Sequence, residues 1–250
     1  MSARQPRPVS RATARRSRRQ RFHGAVRTLI VTGRLPAFML SVGLAVFAVG
    51  FLTSRDFVVR SVVVEGNQAA FAGSIVDASG ALGQPIFQLD TAAVARRVAS
   101  HPAVASASVS ARFPDTIVVH LTERVPVLVW QVGERSVLAD DHGWVIAEAY
   151  DAKLPRVYQP QGDLPAVGSQ LPPERIQAAL YITSQLGSAL TSLQYDPTSG
   201  LTAQLSDSRA VVLGEADRLP LKLSVLDAAL KLPDHWSRLD VREPDRPYYQ

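Results

Sequence analysis

The sequence predicts an α+β protein that a single apolar helix anchors in a membrane. The first observation is a run of 20 uncharged residues, 35–54, between Arg34 and Arg55. The second is a reversal of charge on the two sides of this run. The third is a mixture of β-branched segments and helical stripes that follows it. Together they divide the chain into a basic tail, a membrane helix and a larger mixed α+β part.

The apolar run is long enough to cross a bilayer as a helix. At a rise of about 1.5 Å per residue it spans about 30 Å, the thickness of the hydrocarbon core. A cleaved signal peptide is the competing interpretation, but residues 45–48 depart from the A-x-A cleavage pattern and the run is longer than usual. An uncleaved anchor is therefore favoured. The residues expected to face lipid are Leu35, Phe38, Leu44, Phe47 and Phe51.

The charge distribution predicts which side of the membrane each part occupies. Residues 1–55 contain eleven arginines and no acidic residue, whereas residues 56–250 contain 16 basic and 22 acidic residues. Because positively charged flanks stay in the cytoplasm, we expect residues 1–34 to form a disordered cytoplasmic tail in a single-pass type II protein. The tail should contact anionic lipid headgroups. Phe22 is the only aromatic residue among the basic residues of the tail, so specific nucleic-acid binding is not expected.

No pattern in the sequence indicates catalysis or a bound cofactor. The absence of cysteine excludes disulfides, thiol chemistry and cysteine-ligated metals. Phosphate-binding glycine loops and the HExxH and GxSxG motifs are also absent. Asp140, Asp141 and His142 cluster, but adjacent residues on a turn diverge, so a turn is the expected role. We expect a protein that is not an enzyme and has no metal, cofactor or small-molecule substrate.

Two units are predicted after the membrane helix. Residues 57–124 indicate the order β-α-α-β-β, with strands at 57–65, 104–112 and 117–124 and helices at 71–82 and 92–100. Residues 125–243 indicate short strands and two helices, which begin near Pro172 and Leu219. Their strands are expected at 127–132, 136–139, 144–147, 154–157, 193–195, 201–205, 210–213 and 239–242.

This order of elements, together with several short motifs, resembles the FtsQ/DivIB family of bacterial cell-division proteins. The motifs are VVVEGN at 62–67, GQPIFQLD at 83–90, RFPDTIVV at 112–119, ERVPVLVW at 123–130 and LDVR at 239–242. The resemblance implies a POTRA domain at 57–124, an FtsQ-type β domain at 125–243 and a C-terminal tail at 244–250.

The resemblance also implies a function. It is that of a non-catalytic bitopic scaffold of the divisome, located at the septum in the plasma membrane. Such a scaffold links FtsB/FtsL-like bitopic proteins with other divisome components and helps to control septal peptidoglycan synthesis. The alternative is a POTRA-containing, membrane-anchored assembly or secretion factor, because POTRA-like units occur there too.

The candidate binding site is the C-terminal strand, which we expect at a sheet edge where a partner strand can add. Pro244 and Pro247 remove backbone donors, which argues against a long strand beyond Arg242. Glu123 and Arg124 are expected at the domain junction, as an interdomain salt bridge or as a recruitment surface. The residues expected to contact a partner are Arg209, Val211, Leu239, Val241, Arg242, Tyr248 and Tyr249.

Overall fold

The computed structural model describes residues 34–66, 72–150, 152–232 and 236–250 of the chain. The tail predicted at residues 1–34 therefore lies almost wholly outside the described residues. The predicted start of a helix at Phe71 also lies outside them.

The apolar run forms helix α1, Arg34–Leu52, which is the one helix among the described residues long and apolar enough to cross a membrane. All five predicted anchor side chains are exposed on its surface. The helix ends two residues earlier than predicted, and Ser54 begins the next element as the N-cap of a 3-10 turn. The Thr53 hydroxyl donates to the Val49 carbonyl over 2.7 Å. The Ser54 hydroxyl accepts from the Asp56 amide and begins a 3-10 turn.

The first unit has the predicted order β-α-α-β-β. Its elements are β1 Ser61–Glu65, α2 Ala72–Ser79, α3 Thr91–Ala99, β2 Val104–Arg112 and β3 Thr116–Glu123. Strand β3 lies in the centre of a three-stranded sheet, parallel to β1 and antiparallel to β2. Strand β1 begins later than the predicted Phe57, because the 3-10 turn Arg55–Phe57 precedes it and Val58 makes only an isolated bridge to Pro85.

The two helices of this unit cover one face of its sheet. Helix α3 begins at Asp90, whose carboxylate accepts a hydrogen bond from the Ala93 amide over 3.0 Å. Its Val94 and Val98 are fully buried, four residues apart on one face. They pack in one hydrophobic core with Ile75, Val104, Ile117, Val119 and Leu121. Ile117, Val119 and Leu121 alternate along β3 on the face that packs with the helices, and Val118 is buried on the opposite face.

The second unit is a nine-stranded sheet with two helices. The sheet order is β12-β11-β10-β9-β8-β7-β4-β5-β6. Its helices are α4 Pro173–Leu186 and α5 Leu219–Leu230. Its strands are β4 Leu128–Val132, β5 Arg135–Ala139, β6 Val145–Glu148, β7 Arg156–Gln159, β8 Leu190–Asp196, β9 Gly200–Leu205, β10 Ala210–Gly214, β11 Arg238–Asp240 and β12 Tyr248–Tyr249.

One hydrophobic core joins both helices to the sheet of the second unit. Trp130 of β4 belongs to this core and is fully buried. Its indole N–H donates to the Gln159 side chain over 3.1 Å, and its ring lies 5.5 Å from that of Tyr195. A buried indole thus keeps a hydrogen-bond partner, which removes the cost of burying its polar atom.

The C-terminal segment departs from the prediction. Strand β11 is not at the sheet edge, because it lies between β10, to which it is parallel, and the antiparallel β12. Residues 244–250 are therefore not a free tail. The reversal is a turn in which the Arg246 amide donates to the Glu243 carbonyl, with the buried Pro244 at its second position. The two prolines that argued against a longer strand instead accompany the turn that brings the chain back.

Candidate functional site

Strand β12 forms one end of the nine-stranded sheet and is paired on one side only among the described residues. Tyr249 lies opposite Leu239, and the Gln250 and Arg238 backbones exchange hydrogen bonds in both directions. Antiparallel pairs alternate between bonded and non-bonded positions, so the N–H and C=O of Tyr249 face away from β11. This edge strand therefore offers one unpaired donor and one unpaired acceptor at Tyr249.

The two tyrosines of the edge strand project on opposite faces of the sheet. Tyr249 shares a face with the buried Leu239, and Tyr248 shares a face with Asp240, because directly opposite residues point the same way. Their exposed fractions are 49% and 63%. The Tyr249 ring therefore continues the apolar face of the sheet beyond its last buried residue, where an added strand could cover it.

Arg242 is held beside this edge by a single carboxylate. Its guanidinium donates to both oxygens of Asp240, with Nη2 2.7 Å from Oδ2, and its backbone amide donates to Oδ1 over 3.0 Å. These hydrogen bonds hold the pKa of Asp240 below its ordinary value. The pair keeps the guanidinium in one orientation, so Arg242 presents a fixed charge rather than a mobile one.

The guanidinium of Arg209 already has interaction partners within the protein. Its guanidinium lies 4.4 Å from the centre of the Trp236 ring and also donates to Asp207. The hydrogen bond from Arg209 lowers the pKa of Asp207. Trp236 is buried, and its indole N–H donates to the Ala229 carbonyl at the end of α5. Arg209 thus covers the core next to β10, and a partner would meet only the outer part of its side chain.

The other three predicted contact residues have buried side chains. Val211, Leu239 and Val241 are each at most 1% exposed and belong to the core. Val211 pairs with Leu239 across the parallel β10 and β11, and the Val241 amide donates to Val212. Their side chains therefore cannot contact a partner on a folded sheet, and their role is to position the edge.

A further ion pair, which the sequence did not predict, fixes the reversal before β12. The Arg218 guanidinium donates to the Asp245 carboxylate over 2.6 Å and links the start of α5 to the turn. Arg218 has a positive φ of 51° at the N-cap position of α5. The two residues lie 27 positions apart, so no local pattern in the sequence reveals the contact.

The domain junction contains a buried ion pair. Arg124 Nη1 lies 2.8 Å from Asp140 Oδ2, and the two side chains are 15% and 4% exposed. The guanidinium also lies 4.8 Å from the centre of the Trp144 ring. Glu123 ends strand β3 opposite Val104. The Arg124–Asp140 pair joins the end of the first unit to the second unit.

The Asp140, Asp141 and His142 cluster serves the same junction. Asp140 Oδ1 accepts hydrogen bonds from the amides of His142 and Trp144, while Oδ2 accepts from Arg124. Gly143 has a φ of 84°, which suits the tight turn. Although the three side chains lie close enough to share an ion, Asp140 already has partners on both oxygens. The cluster therefore has the turn geometry that the sequence predicted.

Comparison with known proteins agrees with this architecture. The family model "POTRA domain, FtsQ-type" matches residues 57–124, and the family model "Cell division protein FtsQ/DivIB, C-terminal" matches residues 128–242. The chain belongs to the FtsQ/DivIB family of cell-division proteins. The two matches correspond to the three-stranded and the nine-stranded sheet, so each sheet belongs to a recognised domain of this family.

Relatives from distant bacteria are similar over most of the chain. Cell division protein FtsQ of Mycobacteroides abscessus is 32% identical over 220 residues, which cover 85% of this chain and 69% of that protein. Its namesake from Chloroflexus aggregans is 30% identical over 240 residues, which cover 93% and 86%. Family membership assigns a role in the division machinery, and the apolar helix α1 fits a membrane-anchored septal protein.

Proposed function

We propose that this protein is a non-catalytic, bitopic scaffold of the divisome whose C-terminal edge strand captures an extended segment of a partner. The observation that carries the proposal is the unpaired edge at Tyr249 in a member of a cell-division family. The partners proposed are FtsB/FtsL-like bitopic proteins, as the family resemblance implies. By holding them outside the membrane, the scaffold would help to control septal peptidoglycan synthesis.

The backbone and side chains of the edge supply different parts of the binding. An added strand gains hydrogen bonds from the Tyr249 N–H and C=O, which are sequence-independent. The Tyr249 ring on the core face gives it an aromatic anchor, of the kind enriched at binding hot spots. On the opposite face, Tyr248, Arg246 and Glu243 border the Arg242–Asp240 pair, so this side of the edge offers charged groups of both signs to polar side chains of a partner.

Substitution of Tyr249 separates the backbone contribution from that of the ring. Tyr249→Pro removes the outward N–H, and Tyr249→Ala keeps it while removing the ring. If strand addition operates, both variants bind the co-expressed partner more weakly than the unchanged chain, and the proline variant binds more weakly than the alanine variant. Binding is measured by co-purification of full-length protein with the partner pair.

A surface variant far from the edge serves as control. Tyr150→Ala removes an exposed tyrosine near β6, at the other end of the sheet, and should leave binding unchanged. Thermal unfolding of each variant checks that the edge substitution has not unfolded the domain. A folded Tyr249→Pro variant that binds as strongly as the unchanged chain would exclude the edge as the binding site.

Topology is a separate part of the proposal. The arginine-rich flank before α1 supports a cytoplasmic N-terminus and an extracytoplasmic position for both domains. Because the chain has no cysteine, a Tyr150→Cys variant has one thiol, at an exposed position. A membrane-impermeant maleimide should label this variant in intact cells with a permeable outer envelope. Labelling only after lysis would reverse the proposed orientation.

The absence of catalysis is also a proposal. It is supported by the junction cluster, the one group of three metal-binding side chains found within the part of the chain that the structure describes, whose Asp140 is committed to Arg124 and to backbone amides. The POTRA domain, with Glu123 at its end, is proposed to serve recruitment to the septum. Septal localisation of a Glu123→Ala variant tests this role, and normal recruitment would remove Glu123 from it.

A further inference from the structure

Five phenylalanines, named here the phenylalanine series, run from the membrane helix to the tip of the POTRA sheet. Adjacent ring centres lie 6.2, 4.6, 4.9 and 5.1 Å apart in the order Phe47, Phe51, Phe57, Phe87 and Phe113. These spacings fall in or near the range of about 4.5–7 Å at which aromatic rings attract one another. The series therefore forms one continuous aromatic surface rather than five separate residues.

Four different segments contribute the series. Phe51 lies in the last turn of α1, Phe57 in the following 3-10 turn, Phe87 in the 3-10 turn Ile86–Gln88, and Phe113 at the β2–β3 hairpin. Backbone contacts hold these segments together, including the Val58–Pro85 bridge. Phe57 packs against the POTRA core and thereby connects this core to the membrane helix.

Three phenylalanines of the series expose large apolar surfaces, which is unfavourable in water. Phe51, Phe87 and Phe113 are 46%, 40% and 57% exposed, and Leu82 is also exposed on the same domain. Contiguous exposed apolar patches on soluble domains usually mark an interaction surface. Here the patch is continuous with a helix that fits a bilayer, and its rings contact Phe51 at the end of that helix.

The depth of these rings follows from the position of Phe51. The apolar run ends within a few residues of Phe51, so this residue lies near the boundary between acyl chains and headgroups. Phe57 and Phe87 lie 4.6 and 6.1 Å from its ring centre, and so they must lie close to the same level. Aromatic side chains are favoured at this boundary.

Charge does not provide the attraction. Three basic residues and three acidic residues lie near the series or pair with residues beside it, which leaves no net charge among them: Arg55, Arg60, Arg112, Asp56, Asp115 and Glu65. The Arg60 guanidinium donates to the Arg55 carbonyl, which orients it along the linker. Burial of apolar surface is the favourable contribution that remains.

We propose that Phe87 and Phe113 insert into the headgroup–acyl boundary, so that the POTRA domain is seated on the bilayer instead of being tethered above it. The proposal rests on the membrane anchorage proposed above. Because apolar burial carries it, seating occurs on zwitterionic as well as anionic lipid and depends only weakly on salt. The occupant of this surface is thus the bilayer of the protein's own membrane.

Quenching by brominated lipid tests the proposal on the full-length chain. The protein is reconstituted in phosphatidylcholine vesicles whose lipids carry bromine near the top of the acyl chain. Phe113→Trp retains an aromatic ring and places a fluorophore at the hairpin tip. Phe47→Trp reports the anchor, and Tyr150→Trp reports an exposed site on the β domain. The unchanged chain gives the background of its three native tryptophans.

The brominated lipid should quench the fluorescence of Phe47→Trp and of Phe113→Trp strongly. The fluorescence of Tyr150→Trp should fall no more than that of the unchanged chain. Adding Phe87→Ala to the Phe113→Trp chain should reduce the loss, whereas adding the exposed Val167→Ala should not. Quenching of Phe47→Trp without quenching of Phe113→Trp would overturn the seating while leaving the anchor intact. No quenching of Phe47→Trp would overturn the anchor itself.

Discussion

Two arginine–aspartate pairs, at the junction and at the C-terminal edge, have almost the same geometry and very different surroundings. Arg124 and Asp140 approach to 2.8 Å and are 15% and 4% exposed. Arg242 and Asp240 approach to 2.7 Å and are 51% and 26% exposed. Removing one partner of a buried pair is costly because the remaining charge is left without a partner away from water, whereas an exposed pair mainly orients a side chain on the surface.

Each pair also has a glycine beside it. A side chain at Gly143, in the turn of Asp140, would place its Cβ 2.3 Å from the Leu171 carbonyl oxygen. At Gly214 the added Cβ would lie 2.8 Å from Cγ of Arg242. The first contact is with the backbone and the second is with a side chain. The buried pair should therefore tolerate change at its glycine less well than the exposed pair.

Loss of Arg124 should have the largest effect. Arg124→Ala leaves the buried Asp140 without its charged partner and should lower the free energy of unfolding by about 3–5 kcal/mol. Arg135→Ala is the matched control, because its pair with Glu148 is exposed and its loss should cost far less stability. Denaturant unfolding followed by tryptophan fluorescence measures both. Equal losses in the two variants would contradict the distinction between buried and exposed pairs.

Substitution of the junction glycine should have the next largest effect. Gly143→Ala combines a positive φ of 84° with a clash against backbone, and should cost about 2–3 kcal/mol. Gly73→Ala is the control, since Gly73 lies in α2 with open space around its Cα and should stabilise the protein by up to about 1 kcal/mol. Thermal unfolding compares the two. A Gly143→Ala protein as stable as the unchanged chain would show that the turn can relax.

Substitution of Gly214, at the C-terminal edge, should cost less stability than substitution of Gly143. Gly214→Ala forces a side chain into a residue with a φ of 77° and should cost about 1–2 kcal/mol. Because the new methyl group displaces Arg242, the pKa of Asp240 should rise towards its ordinary value. Titration by NMR measures that pKa. An unchanged Asp240 pKa would mean that Arg242 adjusts without leaving the pair.

Loss of the exposed carboxylate should have the smallest effect on stability. Asp240→Asn should cost less than about 1 kcal/mol near neutral pH. The folded pKa of Asp240 is lowered, so its contribution is present above the unfolded value of about 3.9 and is lost as the pH falls through the folded value. Unfolding of both chains between about pH 7 and about pH 2 should therefore show converging stabilities. A difference that persists in acid would indicate a role other than charge pairing.

Local signals in the sequence predicted most of the fold. The starts of α4 near Pro172 and of α5 near Leu219 were both predicted, and both appear in the structure. Such features depend on residues that are close together in the sequence, so they can be recognised from one sequence alone.

The candidate sites were harder to predict because they depend on distant contacts. Strand β12 has two residues, too few for a periodic pattern, and forms because a turn and the Arg218–Asp245 pair bring it back. The carboxylate partner of Arg124 lies 16 positions away, in a segment that the sequence predicted as a turn. The phenylalanine series comes from separate segments, and no run of sequence shows it.

The short register of the edge strand has a mechanical consequence. Strand β12 shares two register pairs with β11, and Gln250 adds hydrogen bonds to Arg238, whereas β8 and β9 share six register pairs. If a partner binds β12 as proposed and is pulled by a membrane segment of its own, it loads this ladder first. The ladder therefore limits the tension that can reach the rest of the sheet. Under excess load the connection would peel away at the C-terminal strand and leave the core of the β domain folded.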